Sequence, residues 1–214
     1  KLYLLGDFID RGPNSKKTMD TVMEMTKNEN VKAVKGNHDD MFYNWLNNPM
    51  KHSYMFLNNG GIETIEDFIG TREELFNFHI REIVEWTKHI NRKHPEYRLF
   101  IESLPLYIEE EEFIAVHAGI DPRLDDWKDT KDSDFFWIRE LFLNSPINTD
   151  KPIIFGHTPT PNLQQSADVF FGNKKIGIDG GACFGHQLNA LILEDGEWKQ
   201  NSITRNEVGL IGKE

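Results

Sequence analysis

The sequence is short of cysteine, of basic charge and of long apolar runs. Cys183 is the single cysteine among 214 residues, so no disulfide can form within the chain. That usage fits a reducing compartment, and a cytoplasmic location is expected. Lys and Arg number 24 against 35 Asp and Glu, for a formal charge of −11. Such a surface argues against broad contact with a nucleic-acid backbone, which needs clustered cations. It leaves a phosphorylated substrate open, because a metal centre supplies strong local positive charge on an acidic protein. No stretch approaches the ~18 apolar residues of a membrane span, so no membrane partner is expected. Internal repeats and low-complexity tracts are absent too.

What remains is α/β grammar. The apolar run Leu2 to Leu5 reads as a buried strand that delivers the loop Gly6-Asp7-Phe8-Ile9-Asp10-Arg11-Gly12-Pro13. Asn14 or Ser15 can cap the next helix, with Met19, Val22, Met23 and Thr26 facing inward. A second strand, Val31 to Val34, ends at Gly36-Asn37-His38-Asp39, and a helix over Asp40 to Leu46 follows. Helical periodicity then covers Ile62 to Phe68 and Arg72 to His94, where Leu75, Phe78, Ile80, Ile83, Val84 and Ile90 mark an apolar side. The expectation is one domain over 1–214, with a helical insertion at about 48–105. Downstream, short strands dominate. They are read at Leu106 to Ile108, Phe113 to Val116, Pro152 to Phe155, Val169 to Phe171, Lys175 to Ile178, Gln187 to Leu193 and Trp198 to Ile203. One helix is read over Phe135 to Phe142, and Asp195-Gly196 is a hairpin signal.

Four of these strands end in Gly-rich polar loops carrying Asp7, Asn37, His117 and His157. Sites in layered α/β folds collect at strand carboxyl ends. Carboxylate, amide oxygen and imidazole form a ligand set that suits Mn, Fe or Zn. Glycine beside each ligand lets the backbone turn sharply.

These residues carry a resemblance. Gly6 to Gly12 matches GDxxDRG, Gly36 to Asp39 matches GNH[DE], and His117-Ala118-Gly119 and Gly156-His157-Thr158 match two later histidine motifs in order. The chain resembles the phosphoprotein phosphatase branch of the calcineurin-like metallophosphoesterases, and is most similar to bacterial and phage members. The resemblance spans residue 1 to about residue 203. It implies a two-sheet sandwich flanked by helices, and a phosphomonoesterase using two divalent cations, Mn foremost. Asp7 would bridge the metals, and Asn37, His117 and His157 would complete the second site, with Asn37 also reaching the phosphate. His38 resembles the acid that protonates the leaving group, and Asp10 the carboxylate that orients it. Arg11 resembles a phosphate clamp, and Arg139 sits where related enzymes place a second. Two cations lower the pKa of a shared water, giving hydroxide for in-line attack near neutral pH.

That family begins with GDxHG, whose Asp and His ligate the first metal. No such motif precedes Lys1, so the expectation is an N-terminally incomplete chain, in which the second metal site keeps all its ligands. The leading expectation for activity is protein serine/threonine phosphatase. The closest competitor is hydrolysis of a dinucleoside polyphosphate such as diadenosine tetraphosphate. A third reading, an inactive phosphate-binding pseudophosphatase, follows only if the first motif is missing from the gene. His186, beside Gly185, is a weaker candidate for touching substrate.

Overall fold

The computed structural model describes residues 1–70, 79–204 and 206–207. The chain divides into two compact units, Lys1–Pro105 and Leu106–Glu214.

In the first unit, strand β1 (Leu2–Leu4) pairs in parallel with β2 (Val31–Ala33), with Leu4 opposite Ala33. The intervening helix α1 (Ser15–Met25) makes this a βαβ crossover and buries Met19 and Val22. Asn14 stands at its N-cap position without a side-chain cap bond, and Ser15 is the first helical residue. The Ser15 hydroxyl instead accepts from the Asp10 amide at 3.1 Å. The helix start has been given over to the loop before it.

Helix α2 spans Asn37–Asn47, three residues earlier than its apolar pattern suggests. Asp39 explains the early start. At the third helical position it accepts from the Gly36 amide at 2.8 Å, satisfying a donor that a helix N-terminus leaves open. Helix α3 (Pro49–Phe56) has Pro at its first position, where the missing N–H costs nothing. A wide turn, Leu57–Gly61, leads to α4 (Ile62–Ile69), which stops at Gly70 in the left-handed conformation. Helices α5 (Ile80–Lys93) and α6 (Pro95–Ser103) are separated at His94, because Pro95 cannot continue the first and can open the second. On α5, Ile83 and Ile90 are buried, but Ile80 sits in the first turn and is 58% exposed. Leu75 and Phe78 lie outside the described residues. Phe42, Trp45, Phe56 and Phe68 form the aromatic centre of this unit, with ring centroids 5.1–6.0 Å apart. Aromatic pairs at such distances add about 0.5–1.5 kcal/mol each beyond their burial.

The second unit is built on a five-stranded sheet. Its strands are β3 (Tyr107–Glu109), β4 (Ile114–Val116), β5 (Ile153–Phe155), β6 (Phe170–Gly172) and β7 (Lys175–Gly177), in spatial order β3-β4-β5-β7-β6. The central three run parallel, and β3 and β6 flank them antiparallel. All residues of β4 and β5 are buried, as expected of strands covered on both faces. Strands β8 (Gln187–Glu194) and β9 (Glu197–Thr204) form a hairpin closed at Asp195-Gly196, both with positive φ.

The single helix expected over Phe135 to Phe142 is two. Helix α7 (Asp132–Trp137) and α8 (Glu140–Asn144) are separated at Ile138-Arg139. Packing rather than propensity breaks it: Phe142 is fully buried and meets Phe155 edge-on at 5.2 Å, which turns α8 onto the sheet. The protein is thus a mixed α/β fold. Among the described residues, no helix is long and apolar enough to cross a membrane.

Candidate active site

In the first unit the candidate residues gather where β1 and β2 end. Asp7, Asp10 and Arg11 all have positive φ, at 58°, 73° and 60°. Three non-glycine residues in this region within one loop represent stored strain of about 1–3 kcal/mol each. Asp39 holds the loop in place. Its carboxylate accepts from the amides of Asp7 (2.9 Å) and Phe8 (3.0 Å) as well as from Gly36. Burial and the neighbouring Asp7 charge push the Asp39 carboxyl up to about 6, against these three amides. The Asp7 carboxylate in turn accepts from the His38 amide at 3.0 Å, in the first turn of α2. Asn37, the first residue of that helix, is buried.

His38 and Asp10 form a buried pair, Nδ1 to Oδ2 at 2.6 Å, with side chains 4% and 0% exposed. The second Asp10 oxygen accepts from the Thr64 hydroxyl at 2.6 Å. Both its oxygens are therefore fixed, and the imidazole it holds has one orientation. Burial raises the Asp10 carboxyl, opposed by the hydrogen bonds from His38 and Thr64. Arg11 is exposed, and its amide donates to Gly60 O at 3.2 Å. A Cβ on Gly60 would stand 2.6 Å from Arg11 Cγ and 2.9 Å from its amide, so this glycine lets the wide turn reach the arginine.

In the second unit, His117 follows β4 and His157 follows β5, so adjacent parallel strands deliver both histidines at their carboxyl ends. Both are buried, with ring centroids 5.2 Å apart. Trp137 meets His157 edge-on at 5.8 Å. His157 has positive φ (62°), which turns it out of the strand direction. A Cβ on Gly119 would fall 2.5 Å from the Phe142 ring and 2.9 Å from Ile138 Cγ2. The HAG glycine is thus the space into which the α7–α8 break fits. Arg139 is exposed at the start of α8, with Nη1 3.4 Å from the Thr158 hydroxyl. His186 is exposed on the turn before β8.

The donors suit a divalent cation. Two buried imidazoles side by side are a nitrogen pair of the kind such ions take, and Asp7 offers an oxygen in a loop packed closely on Gly36. Three supporting residues carry no sequence signal of this role: Ser15, Thr64 and Gly60 act on the loop from up to 54 positions away. Asp39 lies within the GNH[DE] motif, but its bracing of the Asp7 loop shows only in the structure.

Thr64→Val would leave one Asp10 oxygen buried without its donor, at about 1–3 kcal/mol. The expected result is a melting temperature lower by about 2–4 °C per kcal/mol for a chain of this size. Turnover should fall as well, since the His38 ring loses its fixed seat. A variant with native turnover would show that Thr64 only fills space.

Comparison with known proteins places the chain. The calcineurin-like phosphoesterase family matches residues 1–190. The bis(5'-nucleosyl)-tetraphosphatase PrpE [asymmetrical] of Anoxybacillus flavithermus is 25% identical over 210 residues, covering 89% of this chain and 74% of that protein. The Bacillus subtilis protein of the same name is 28% identical over 205 residues, covering 87% and 73%. Among solved structures, one described as a putative diadenosine tetraphosphatase superposes with TM-score 0.61 at 14% identity, over 94% of this chain and 80% of that one. A protein serine/threonine phosphatase from Saccharomyces cerevisiae gives 0.53 at 16% identity, over 94% and 70%. At these identities the two structures speak for the fold alone, and the fold serves both. The family match covers most of the chain and all four motif loops: this protein belongs to the calcineurin-like phosphoesterases, metal-dependent phosphoester hydrolases.

Proposed function

We propose that this protein hydrolyses dinucleoside polyphosphates, with a bis(5'-nucleosyl) tetraphosphate as the substrate class. The observation that carries the reading is likeness to the PrpE proteins along almost nine-tenths of the chain. The motifs lead to the expectation of a serine/threonine phosphoprotein phosphatase, but they are common to both activities and do not separate them. Likeness to the PrpE proteins beyond the motifs, over 210 residues, moves the balance to the nucleotide substrate.

In this reading Asp7, Asn37, His117 and His157 hold divalent cations. Bound cations would supply the nucleophile and part of the charge that stabilises the transferring phosphoryl group. The chain's own side chains do the rest. Arg11 and Arg139 offer planar forks of donors to phosphate oxygens as charge builds on them. Asn37 adds an amide donor to the same oxygens. His38 gives its Nε2 proton to the departing oxygen, and Asp10 orients the ring from Nδ1.

A panel of diadenosine tetraphosphate, a phosphoserine peptide and p-nitrophenyl phosphate, assayed with added Mn, tests this. The expected order of kcat/KM places the dinucleotide first by at least about tenfold, some 1.4 kcal/mol of transition-state preference. A phosphopeptide hydrolysed faster than the dinucleotide would return the phosphoprotein reading.

A further inference from the structure

The five residues of α8 cannot hold themselves, since an isolated helix that short is unstable in water. Yet α8 places Arg139. The Arg139 carbonyl accepts from the Leu143 amide at 2.9 Å, which ties the first turn of this helix to the arginine's own backbone. The guanidinium stands 3.4 Å from the Thr158 hydroxyl. The backbone from which the arginine projects moves with the helix it opens.

Lys175 holds the other end of that helix. It belongs to β7, opposite Ile153 of β5, but its side chain is 7% exposed and turns to α8. The ammonium donates to the carbonyls of Leu143 (3.1 Å) and Ser145 (2.6 Å), and stands 5.0 Å over the Phe142 ring. Leu143 thus takes Lys175 on its carbonyl and Arg139 on its amide. A cation on the last carbonyls of a helix is the favoured sign there. No carboxylate pairs with Lys175 among the described residues, so its partners are α8 and the aromatic beneath it. Burial pulls the ammonium below its ordinary range, a cost that an exposed lysine would avoid.

We infer that Lys175 is a positioning residue for Arg139: it anchors the carbonyl end of α8 to the central sheet and so aims the arginine at the substrate phosphate. This rests on the reading of Arg139 as a phosphate clamp. The anchor reaches the phosphate only through the arginine, so removing it should cost nothing once the arginine is gone.

The test titrates inorganic phosphate calorimetrically into the Mn-loaded protein. Arg139→Ala is expected to weaken phosphate by about tenfold or more, as loss of a charge-assisted fork should. Lys175→Met should weaken it about three- to tenfold with metal content unchanged, a smaller loss because the fork is displaced rather than deleted. Lys175→Arg, which keeps a cation and donors for the carbonyls, should stay within about twofold of the parent. In the Arg139→Ala background, Lys175→Met should weaken phosphate no further. Equal weakening in both backgrounds, or native affinity in Lys175→Met, overturns the inference. If Lys175→Met does not fold, Lys175→Gln carries the same comparison, with an uncharged NH2 donor group in place of the ammonium. Native phosphate affinity in Arg139→Ala would instead sink the clamp reading, and the inference with it.

Discussion

Replacing His38 by Asn is expected to lower kcat on an alkyl phosphomonoester by about 100- to 10,000-fold, the range a positioned general acid supplies. Metal content should not change. The substitution is mild in shape, and its amide can still donate to Asp10, whose Oδ2 lies 2.6 Å from His38 Nδ1. What it removes is a transferable proton. The His38 backbone amide, which donates to Asp7 Oδ1 at 3.0 Å, is untouched. A fall in turnover with retained metal therefore isolates proton transfer from metal binding.

The size of that fall should depend on the leaving group. An alkoxide is a strong base and needs the proton as it departs. A nucleotide released from a polyphosphate chain is a far weaker base and needs it less. His38→Asn should thus cost most on the alkyl ester and least on diadenosine tetraphosphate. Measuring kcat for both substrates in both proteins checks this. Equal losses on the two substrates would mean that His38 acts through something other than leaving-group protonation, and native turnover on both would remove it from the reaction.

The parts of this site that were legible in the sequence are those set by local pattern. Apolar runs ending in Gly-rich loops located β1, β2, β4 and β5, and with them Asp7, Asn37, His117 and His157. The strand runs of β8 and β9 and the Asp195-Gly196 turn between them were readable for the same reason. What was not legible depends on distant partners. The start of α2 at Asn37 reflects the Asp39 carboxylate folding back on Gly36, where hydrophobic periodicity has nothing to report. The break before α8 comes from Phe142 dropping against Gly119 and Phe155, contacts 13 or more residues away. Thr64 reads as one polar residue on a helix, although it holds an Asp10 oxygen across 54 positions. Lys175 reads as a strand residue, and only its rotamer shows that it serves α8.

Gly36→Ala is expected to have the second large effect, and from one methyl group. A Cβ at this position would lie 2.2 Å from Asp7 Oδ1, 2.4 Å from the Asp7 amide nitrogen and 3.0 Å from Asp7 Cγ. The carboxylate alone could swing aside, but the backbone nitrogen cannot. Asp7 sits at φ 58°, braced by the Asp39 carboxylate on its amide and by the His38 amide on its oxygen. Relief of the clash must move one loop away from the other, and either movement pulls Asp7 off both partners. Overpacking of this kind costs about 1–3 kcal/mol, occasionally more. At about 2–4 °C per kcal/mol, the melting temperature should fall by roughly 2–12 °C. The functional loss should be larger than the loss of stability. A carboxylate displaced by a methyl's width no longer meets the short oxygen–metal distances a divalent cation requires. Metal bound after gel filtration, measured by elemental analysis, should drop well below that of the parent, and turnover should drop with it. Gly36→Ala protein with native metal content and native turnover would show that the Asp7 loop can yield without consequence. The close approach of the two loops would then not be what seats the Asp7 carboxylate.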